Sequence, residues 1–456
     1  MDEIAIDSLI IGDGPAAMGY LCGYIQNNRN QKLRLGIITG QIMKSLGVFN
    51  STMGPAEKGR IECSKIFGLP SVRAFGAGGT TALWHGGMFL PTAEDVILSA
   101  TGKTVDIPKY FEGLISTDSV KNLPLQAILN KRRDPAHSSN FSNWRDIFIP
   151  FSPPPRISAS DNFQERLSFI DEGVAQRFEI CTNEKIKTII FDGQRFKKVF
   201  SNEIVLAAGC IGTLDLLIKS NFASSLSFCD HLHVFVGTLR RSRLPSALLG
   251  KLGPKLVVGT SFAQRWIWKT TVTYQGQSAD VGLGFRAVAN PNFPRSGRAF
   301  ADLVAHRSQS PTAKLSLALR HPATSIEMLA YKFGIELPFE NYLVHATVSP
   351  RQKSGVIREM EIEFVPDRDY ATKCATYAFR EFCTEFNLEI GTDSVNFESN
   401  DISNSFISGA QFSGVTGQIV DLPEMVKIVD TSALGYTSIY NQTLTSLCYA
   451  FDIGHH

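Results

Sequence analysis

Short apolar runs rich in β-branched residues alternate along the chain with stretches of helical periodicity, beginning at its first residues. Ile4-Ala5-Ile6-Asp7-Ser8-Leu9-Ile10-Ile11 predicts a strand buried in a parallel sheet. Gly12-Asp13-Gly14-Pro15-Ala16-Ala17 breaks it, and Met18, Leu21, Cys22 and Ile25 then recur at the spacing of one helical face. A second apolar run, Leu33 to Ile38, completes a unit of the right length for strand, helix and parallel strand. Between 131 and 160 the pattern fails, with Pro135, Pro150 and Pro153-Pro154-Pro155 marking a loop or a crossing between units. Arg177–Ile180, Lys185–Phe191, a turn at Asp192-Gly193 and Lys197–Phe200 read as a β-meander. The strand Glu203–Ala208 follows, closed by Gly209, and Ile211–Lys219 reads as a helix. From 234 to 400 the pattern is mixed, with the strand Lys269–Tyr274 and the helix Ala371–Phe386 as its clearest elements. The chain has no visible internal repeat and no low-complexity tract.

Composition narrows the classes. The 456 residues are 43% hydrophobic and 19% charged, which is ordinary globular usage and enough chain for two to four folding units. A formal charge of +2 gives no electrostatic footprint for nucleic acid, so small-molecule partners are favoured. The opening Met1-Asp2-Glu3 lacks the basic region of a signal peptide, and the most apolar long window, Ile204–Ile218, is too short to span a bilayer. A cytoplasmic protein without a membrane span is the expectation. Eight scattered cysteines, without Cys-x-x-Cys or metal-ligand spacing, read as reduced thiols, and no metal site is expected. His231 and His233 share a face of an expected strand but lack a third ligand, so a structural role is expected for both. His455-His456 carries no chemical argument.

Candidate chemistry starts at the first glycine turn. In Gly-x-Gly-x-x-Ala between strand and helix, Gly12 permits the turn, Gly14 lets backbone approach a pyrophosphate and Ala17 allows close packing of helix on strand. The helix N-terminus then offers free N–H groups and partial positive charge. The acidic residue that usually ends the second strand and binds a ribose hydroxyl is replaced by Thr39-Gly40, so Thr39 or Gln41 supplies a neutral hydrogen bond instead. A second cluster, Phe75-Gly76-Ala77-Gly78-Gly79-Thr80-Thr81-Ala82-Leu83-Trp84-His85-Gly86-Gly87-Met88, has glycines dense enough for backbone to lie against a flat ligand.

These segments, taken with four others in order along the chain, resemble the glucose–methanol–choline (GMC) oxidoreductase family of FAD enzymes. Ala207-Ala208-Gly209-Cys210-Ile211-Gly212-Thr213-Leu214-Asp215-Leu216-Leu217 looks like the family's second signature. Asp230-His231 is similar to the pair at its passage into the substrate domain. Gly86-Gly87-Met88 matches the end of the flavin-covering segment in the cholesterol oxidase branch. Val429-Asp430-Thr431-Ser432 and Asn441-Gln442-Thr443-Leu444-Thr445 are similar to its Val-Asp-x-Ser and Asn-Pro-x-Leu-Thr elements. The resemblance implies an α/β fold, with a Rossmann-like FAD-binding domain and an inserted α+β, mixed-sheet substrate domain. The expected division is 1–100, 171–234 and 401–456 for the FAD domain, 101–170 for a crossing and lid segment, and 235–400 for the substrate domain. Gly12, Gly14, Ala17, Thr39, Gly78, Gly79, Thr80, Thr81, His85, Gly86, Gly209, Asp430, Asn441 and Thr443 are the implied FAD contacts.

In the family, a pair of polar residues faces flavin N5, one of them withdrawing the substrate hydroxyl proton as hydride leaves. Asn441 matches the second member. The first corresponds to Phe406, which cannot accept a proton, and neither Ser405, Ser408 nor Gln411 nearby is a useful base. His85, in the glycine segment, is the leading replacement, as a base or as a flavin contact without proton transfer. It misses the family's covalent attachment position by one or two residues, so a covalent flavin is not favoured. Tyr436, Tyr440 and the aromatic residues Phe262, Trp266, Trp268 and Phe285 suit either ordinary core packing or a substrate cavity. The implied activity is FAD-dependent dehydrogenation of a small or apolar organic substrate, to oxygen or another acceptor. A redox-neutral step on a bound flavin and a catalytically silent relative are the alternatives.

Overall fold

The computed structural model describes residues 3–28, 34–40, 104–116, 143–150, 157–181, 185–229, 231–253, 262–288, 337–351, 355–358, 360–364, 367–390, 422–434 and 442–456, with short pieces between them. The strand β1 (Glu3–Ile11) leads into α1 (Pro15–Asn27) and back into β2 (Leu35–Ile38). Then come α2 (Ile107–Ser116), β3 (Trp144–Pro150), the short α3 (Ala159–Phe163) and β4 (Leu167–Asp171). The meander is β5 (Val174–Ile180), β6 (Ile186–Phe191) and β7 (Phe196–Leu206), followed by α4 (Cys210–Lys219). The middle of the chain supplies β8 (Ser225–Cys229), β9 (Leu232–Arg240), β10 (Phe262–Tyr274), β11 (Gln277–Val288) and β12 (Asn341–Pro350). The last elements are α5 (Arg368–Glu385), β13 (Val426–Ile428) and α6 (Gln442–His455).

The first sheet runs β4-β2-β1-β7-β6-β5. β4, β2, β1 and β7 are mutually parallel. The pattern predicts two strands, Lys197–Phe200 and Glu203–Ala208, but the structure makes one. Its first half pairs antiparallel with β6, from Phe196 to Ser201, and its second half parallel with β13, from Ile204 to Leu206. Alternation then sorts the side chains. Ile10, Ile37, Val205 and Ala207 join the core under α1, α2 and α6, while Leu9, Ile11, Ile38, Ile204 and Leu206 join the core under α4. A strand with helices on both faces must be apolar where they cover it, and β1 is so over Leu9–Ile11, its polar Asp7 and Ser8 lying in its earlier part.

The helices α1 and α6 pack backbone to backbone. A Cβ on Gly19 would lie 2.3 Å from the Leu447 carbonyl oxygen, one on Gly23 would lie 2.2 Å from that of Phe451, and one on Gly454 2.2 Å from that of Tyr20. The contacts advance along both helices together, so the two are parallel and their N-termini lie at the same end.

The second sheet has eight strands, with β9-β12-β11-β10-β3 as its antiparallel centre. One face is covered by α5, whose buried positions Tyr370, Ala371, Cys374, Ala375, Ala378, Phe379, Phe382 and Cys383 follow helical spacing. Asp367 caps this helix by accepting from the Tyr370 N–H at 2.9 Å. Trp268 packs edge-on against Phe382 and donates its indole N–H to Glu385 at 3.0 Å, and Phe285 lies 5.0 Å from the Phe382 ring. Trp268 and Phe285 are therefore core residues of the helix-covered face. Trp266 is half-buried beneath Lys251, and the side chain of Phe262 lies outside the described residues.

The opposite face carries two small apolar clusters of its own. Ile439, just ahead of α6, packs with Ile147 and Ile267, and Val288 and Leu343 pack with Phe235. Ile439 lies over Gly282, where a Cβ would meet its Cδ1 at 3.1 Å. The segment leading into α6 thus lies against this face.

Candidate functional site

The carboxyl ends of the parallel strands form one continuous edge. Thr39 N–H donates to the Asp171 carbonyl at 2.9 Å, Gly12 N–H to Ile38 at 2.9 Å, Ala207 N–H to Ile11 at 2.8 Å and Val429 N–H to Leu206 at 3.0 Å. This edge, where strands give way to helices, is where open α/β sheets bind their ligands.

At its centre Gly12 turns with φ of 112°, and a Cβ there would lie 2.1 Å from the Ala207 carbonyl oxygen, so both the backbone angle and the space require glycine. Gly14 caps α1 and Pro15 occupies its first turn, with no side chain capping the exposed N–H groups. Ala17 is fully buried against the sheet. The second turn, after β7, repeats the design: Gly209 has φ of 75° and caps α4 without a side-chain bond. Among the described residues a Cβ on Gly209 would meet nothing within 4 Å, so this turn is open on that side. With α6 parallel to α1, three helix N-termini gather at the edge and together favour an oxygen-rich or anionic ligand.

Two buried carboxylates hold the turns. Asp13 accepts from the Ser160 N–H at 2.6 Å, from Ser160 Oγ at 2.6 Å and from Ser158 Oγ at 3.1 Å, tying the first glycine turn to α3. Burial raises its pKa above the ordinary carboxylate value, with those hydrogen bonds opposing. Asp430 accepts from Thr213 Oγ1 at 2.5 Å, from Ser432 Oγ at 2.5 Å and from Ser432 N–H at 2.9 Å, and also from the Gly209 N–H. Burial raises its pKa too. Asp430 thereby fixes the start of α4 to the strand β13, and its carboxylate is taken up by protein donors.

Thr39 is buried at the end of β2, its hydroxyl 3.5 Å from the Asp171 carbonyl. The neighbouring Asp171 carboxylate, the acid nearest that position, is bound by Gly173 N–H at 2.7 Å and Lys197 Nζ at 3.0 Å. Thr443 is half-buried in the first turn of α6. The structure thus brings Gly12, Gly14, Ala17, Thr39, Gly209, Asp430 and Thr443 to one edge or its supports. Gly78, Gly79, Thr80, Thr81, His85, Gly86, Phe406 and Asn441 lie outside the described residues. His231 is buried just before β9, which begins at Leu232, and the side chain of His233 lies outside the described residues. Among the described residues no three His, Cys, Asp or Glu side chains are grouped to hold a metal ion, and no helix is long and apolar enough to cross a membrane.

The residues sequence reasoning missed are Ser158 and Ser160, which lie far from Asp13 along the chain. Their only local signal is a Ser-x-Ser at the start of a short helix.

No family model matches the chain, and no curated protein matches it in sequence. Solved structures do. Pyridoxine 4-oxidase from Mesorbium loti aligns over 99% of this chain and 99% of its own, with a TM-score of 0.53 and 12% identity. A fungal aryl-alcohol oxidase aligns over 98% of each chain, with a TM-score of 0.50 and 10% identity. Formate oxidase aligns over 100% of this chain and 98% of its own, at 0.48 and 10%. The first two matches establish a shared fold across nearly the whole chain. The α/β fold with a Rossmann-like unit, expected from the motifs, is the fold observed, while the described pairings of the eight-stranded sheet are antiparallel rather than mixed.

Proposed function

We propose that this chain binds FAD and oxidises a small organic alcohol, as an FAD-dependent oxidoreductase of the GMC type. The observation that carries the reading is the strand edge at which Gly14 and Gly209 cap two helices without side chains, Gly209 facing space that a Cβ would leave unfilled. That arrangement fits a dinucleotide, with backbone N–H groups for its phosphates and a glycine wall for its flat ring. The motif order along the chain and the shared fold support the same reading. The two neighbours at a TM-score of 0.50 or more are named as oxidases, one of pyridoxine and one of aryl alcohols.

In this reading the Gly14 turn and first turn of α1 hold the pyrophosphate, and Thr39 offers a neutral contact to a ribose. Asp430 holds the Gly209 turn in place against the ligand. Bound FAD supplies the electron acceptor for a hydride. Gly78, Gly79, Thr80, Thr81 and Gly86 are assigned to the segment over the ring, Asn441 to binding the substrate oxygen, and His85 to a flavin contact or proton transfer. The division into an FAD domain (1–100, 171–234, 401–456), a crossing segment (101–170) and a substrate domain (235–400) belongs to the same proposal, as does a cytoplasmic location.

The visible spectrum of purified protein tests the cofactor: bands of bound oxidised flavin are expected, and a colourless preparation that gains none on incubation with FAD refutes it. Anaerobic mixing with a panel of primary and secondary alcohols then tests the reaction. Bleaching of the flavin is expected. Turnover with a flavin that stays oxidised would move the assignment to a redox-neutral step.

A further inference from the structure

The eight-stranded sheet presents the face opposite α5 toward the segment that enters α6, and one row across that face contains a histidine. By register the row is Phe235, His345, Gly284, Ile267 and Arg145, one residue from each of β9, β12, β11, β10 and β3. His345 lies in the gap left by glycine: a Cβ on Gly284 would be 2.5 Å from its Nε2 and 2.8 Å from its Cε1. The ring is therefore laid against the sheet. Two residues along β11, Gly282 leaves a second gap filled by Ile439. Alternate residues on a strand are about 7 Å apart, so the imidazole and Ile439 are near neighbours on one surface. The Phe235, Leu343 and Val288 cluster lies to one side of His345 and the Ile439, Ile147 and Ile267 cluster to the other.

This surface is joined to the glycine edge through two elements. Ile439 lies three residues ahead of Gln442, the start of α6, whose N-terminus lies beside that of α1. β3 contributes Ile147 to the sheet face and Phe148 to the core shared with Ile10, Ala16 and Leu444. A surface whose apolar clusters flank one half-buried imidazole, with the buried cations Arg145 and Arg265 on the same face, carried to the edge where three helices start, has the composition of a substrate wall: largely apolar, with a few polar groups. A neutral imidazole accepts one proton, which none of the other residues of the row does at neutral pH.

We infer that His345 is a catalytic residue of the site, the base that takes the hydroxyl proton of an alcohol substrate. The inference rests on the proposed FAD-dependent oxidation and supplies the base that Phe406 cannot. In the step, the carbinol C–H bond breaks and its electron pair leaves as hydride to FAD. The O–H bond breaks with its proton going to His345, and a carbonyl product remains.

Two experiments on the FAD-loaded protein test it. Diethylpyrocarbonate labelling, read by mass spectrometry at His345, is compared between the loaded protein and the same protein after FAD removal. Protection of at least about tenfold by FAD is expected for a group facing the site, and equal labelling overturns the inference while leaving FAD binding standing. Second, His345→Gln and His345→Ala are compared with His85→Gln for anaerobic flavin bleaching by an alcohol that reduces the parent protein. Both His345 variants are expected to keep the bound-flavin spectrum and lose about 10²–10⁴-fold in rate, with added imidazole restoring part of it in His345→Ala. Loss in His85→Gln alone assigns the proton to His85 and overturns the inference. A preparation that binds no FAD, or a parent protein reduced by no alcohol, defeats the proposed function itself, and the role of His345 with it.

Discussion

Adding one methyl group at Gly23 probes the parallel pair α1 and α6 on which the glycine edge depends. The Ala methyl would lie 2.2 Å from the Phe451 carbonyl oxygen, where carbon and oxygen ordinarily approach no closer than about 3.3 Å. Both partners are helix backbone, so no side chain can turn aside and the helices must separate by about 1 Å. Overpacking of a tight core costs about 1–3 kcal/mol, and a contact between backbones belongs at about 3 kcal/mol. Replacing glycine by alanine inside a helix returns about 1 kcal/mol. The expected net loss is about 2 kcal/mol, or roughly 4–8 °C in melting temperature for a unit of this size. Gly19→Ala, with its methyl 2.3 Å from the Leu447 oxygen, should match it. The double variant should lose less than the sum, because one separation relieves both contacts. Gly250→Ala is the control: it lies in the helix Ser246–Leu252, a Cβ there meets nothing within 4 Å, and alanine should stabilise by about 0.5–1 kcal/mol. Calorimetry and urea unfolding followed by circular dichroism measure these differences. A Gly23→Ala protein as stable as the parent, with Gly250→Ala behaving as described, would refute the close packing.

Further outcomes follow from the two turns and their carboxylates. Gly209→Ala should cost only about 1–2 kcal/mol of backbone strain in the FAD-free protein but loosen FAD measurably by fluorescence titration, whereas Gly12→Ala should prevent stable folding, judged by yield and melting. Thr213→Val leaves Asp430 one donor short and should cost about 1–3 kcal/mol in urea unfolding. Asp13 has a native pKa raised above its unfolded value of 3.8, so its stability contribution is full below that value and is lost as pH rises through the native pKa. The stability of the parent relative to Asp13→Asn should therefore fall as pH rises from 3.8, and a difference that rises instead would contradict the burial argument.

What could be read beforehand was local. The β1–α1–β2 unit and the β7–α4 turn announce themselves because period, glycine and helix start lie within a few residues of one another. The helices predicted at Ile211–Lys219 and Ala371–Phe386 are found at Cys210–Lys219 and Arg368–Glu385 for the same reason. Pairing was not legible. Nothing near Leu167–Asp171 says that it lies beside β2, or that β3 belongs to the second sheet, since the partners that decide it are remote in sequence. The hairpin of β10 and β11 turns on Gln275 and Gly276, both with positive φ, a two-residue signal easily lost in a polar stretch. His345 had no motif at all. A single histidine in a strand acquires meaning only when the neighbouring strand sets a glycine opposite it.

The glycine contacts between α1 and α6 also bear on how the molecule comes into being. Almost every other element lies between the two helices along the chain, so α1 is synthesised long before its partner exists. Until α6 arrives, the surface of α1 that carries Gly19 and Gly23 lacks the backbone it packs against, and the loop to be closed runs through both sheets. Contacts of such sequence separation form slowly, and intermediates that wait for them expose apolar surface. The glycine edge is then among the last parts to assemble, and, on the proposed function, supplying FAD during refolding should raise the yield of folded protein by trapping the docked pair.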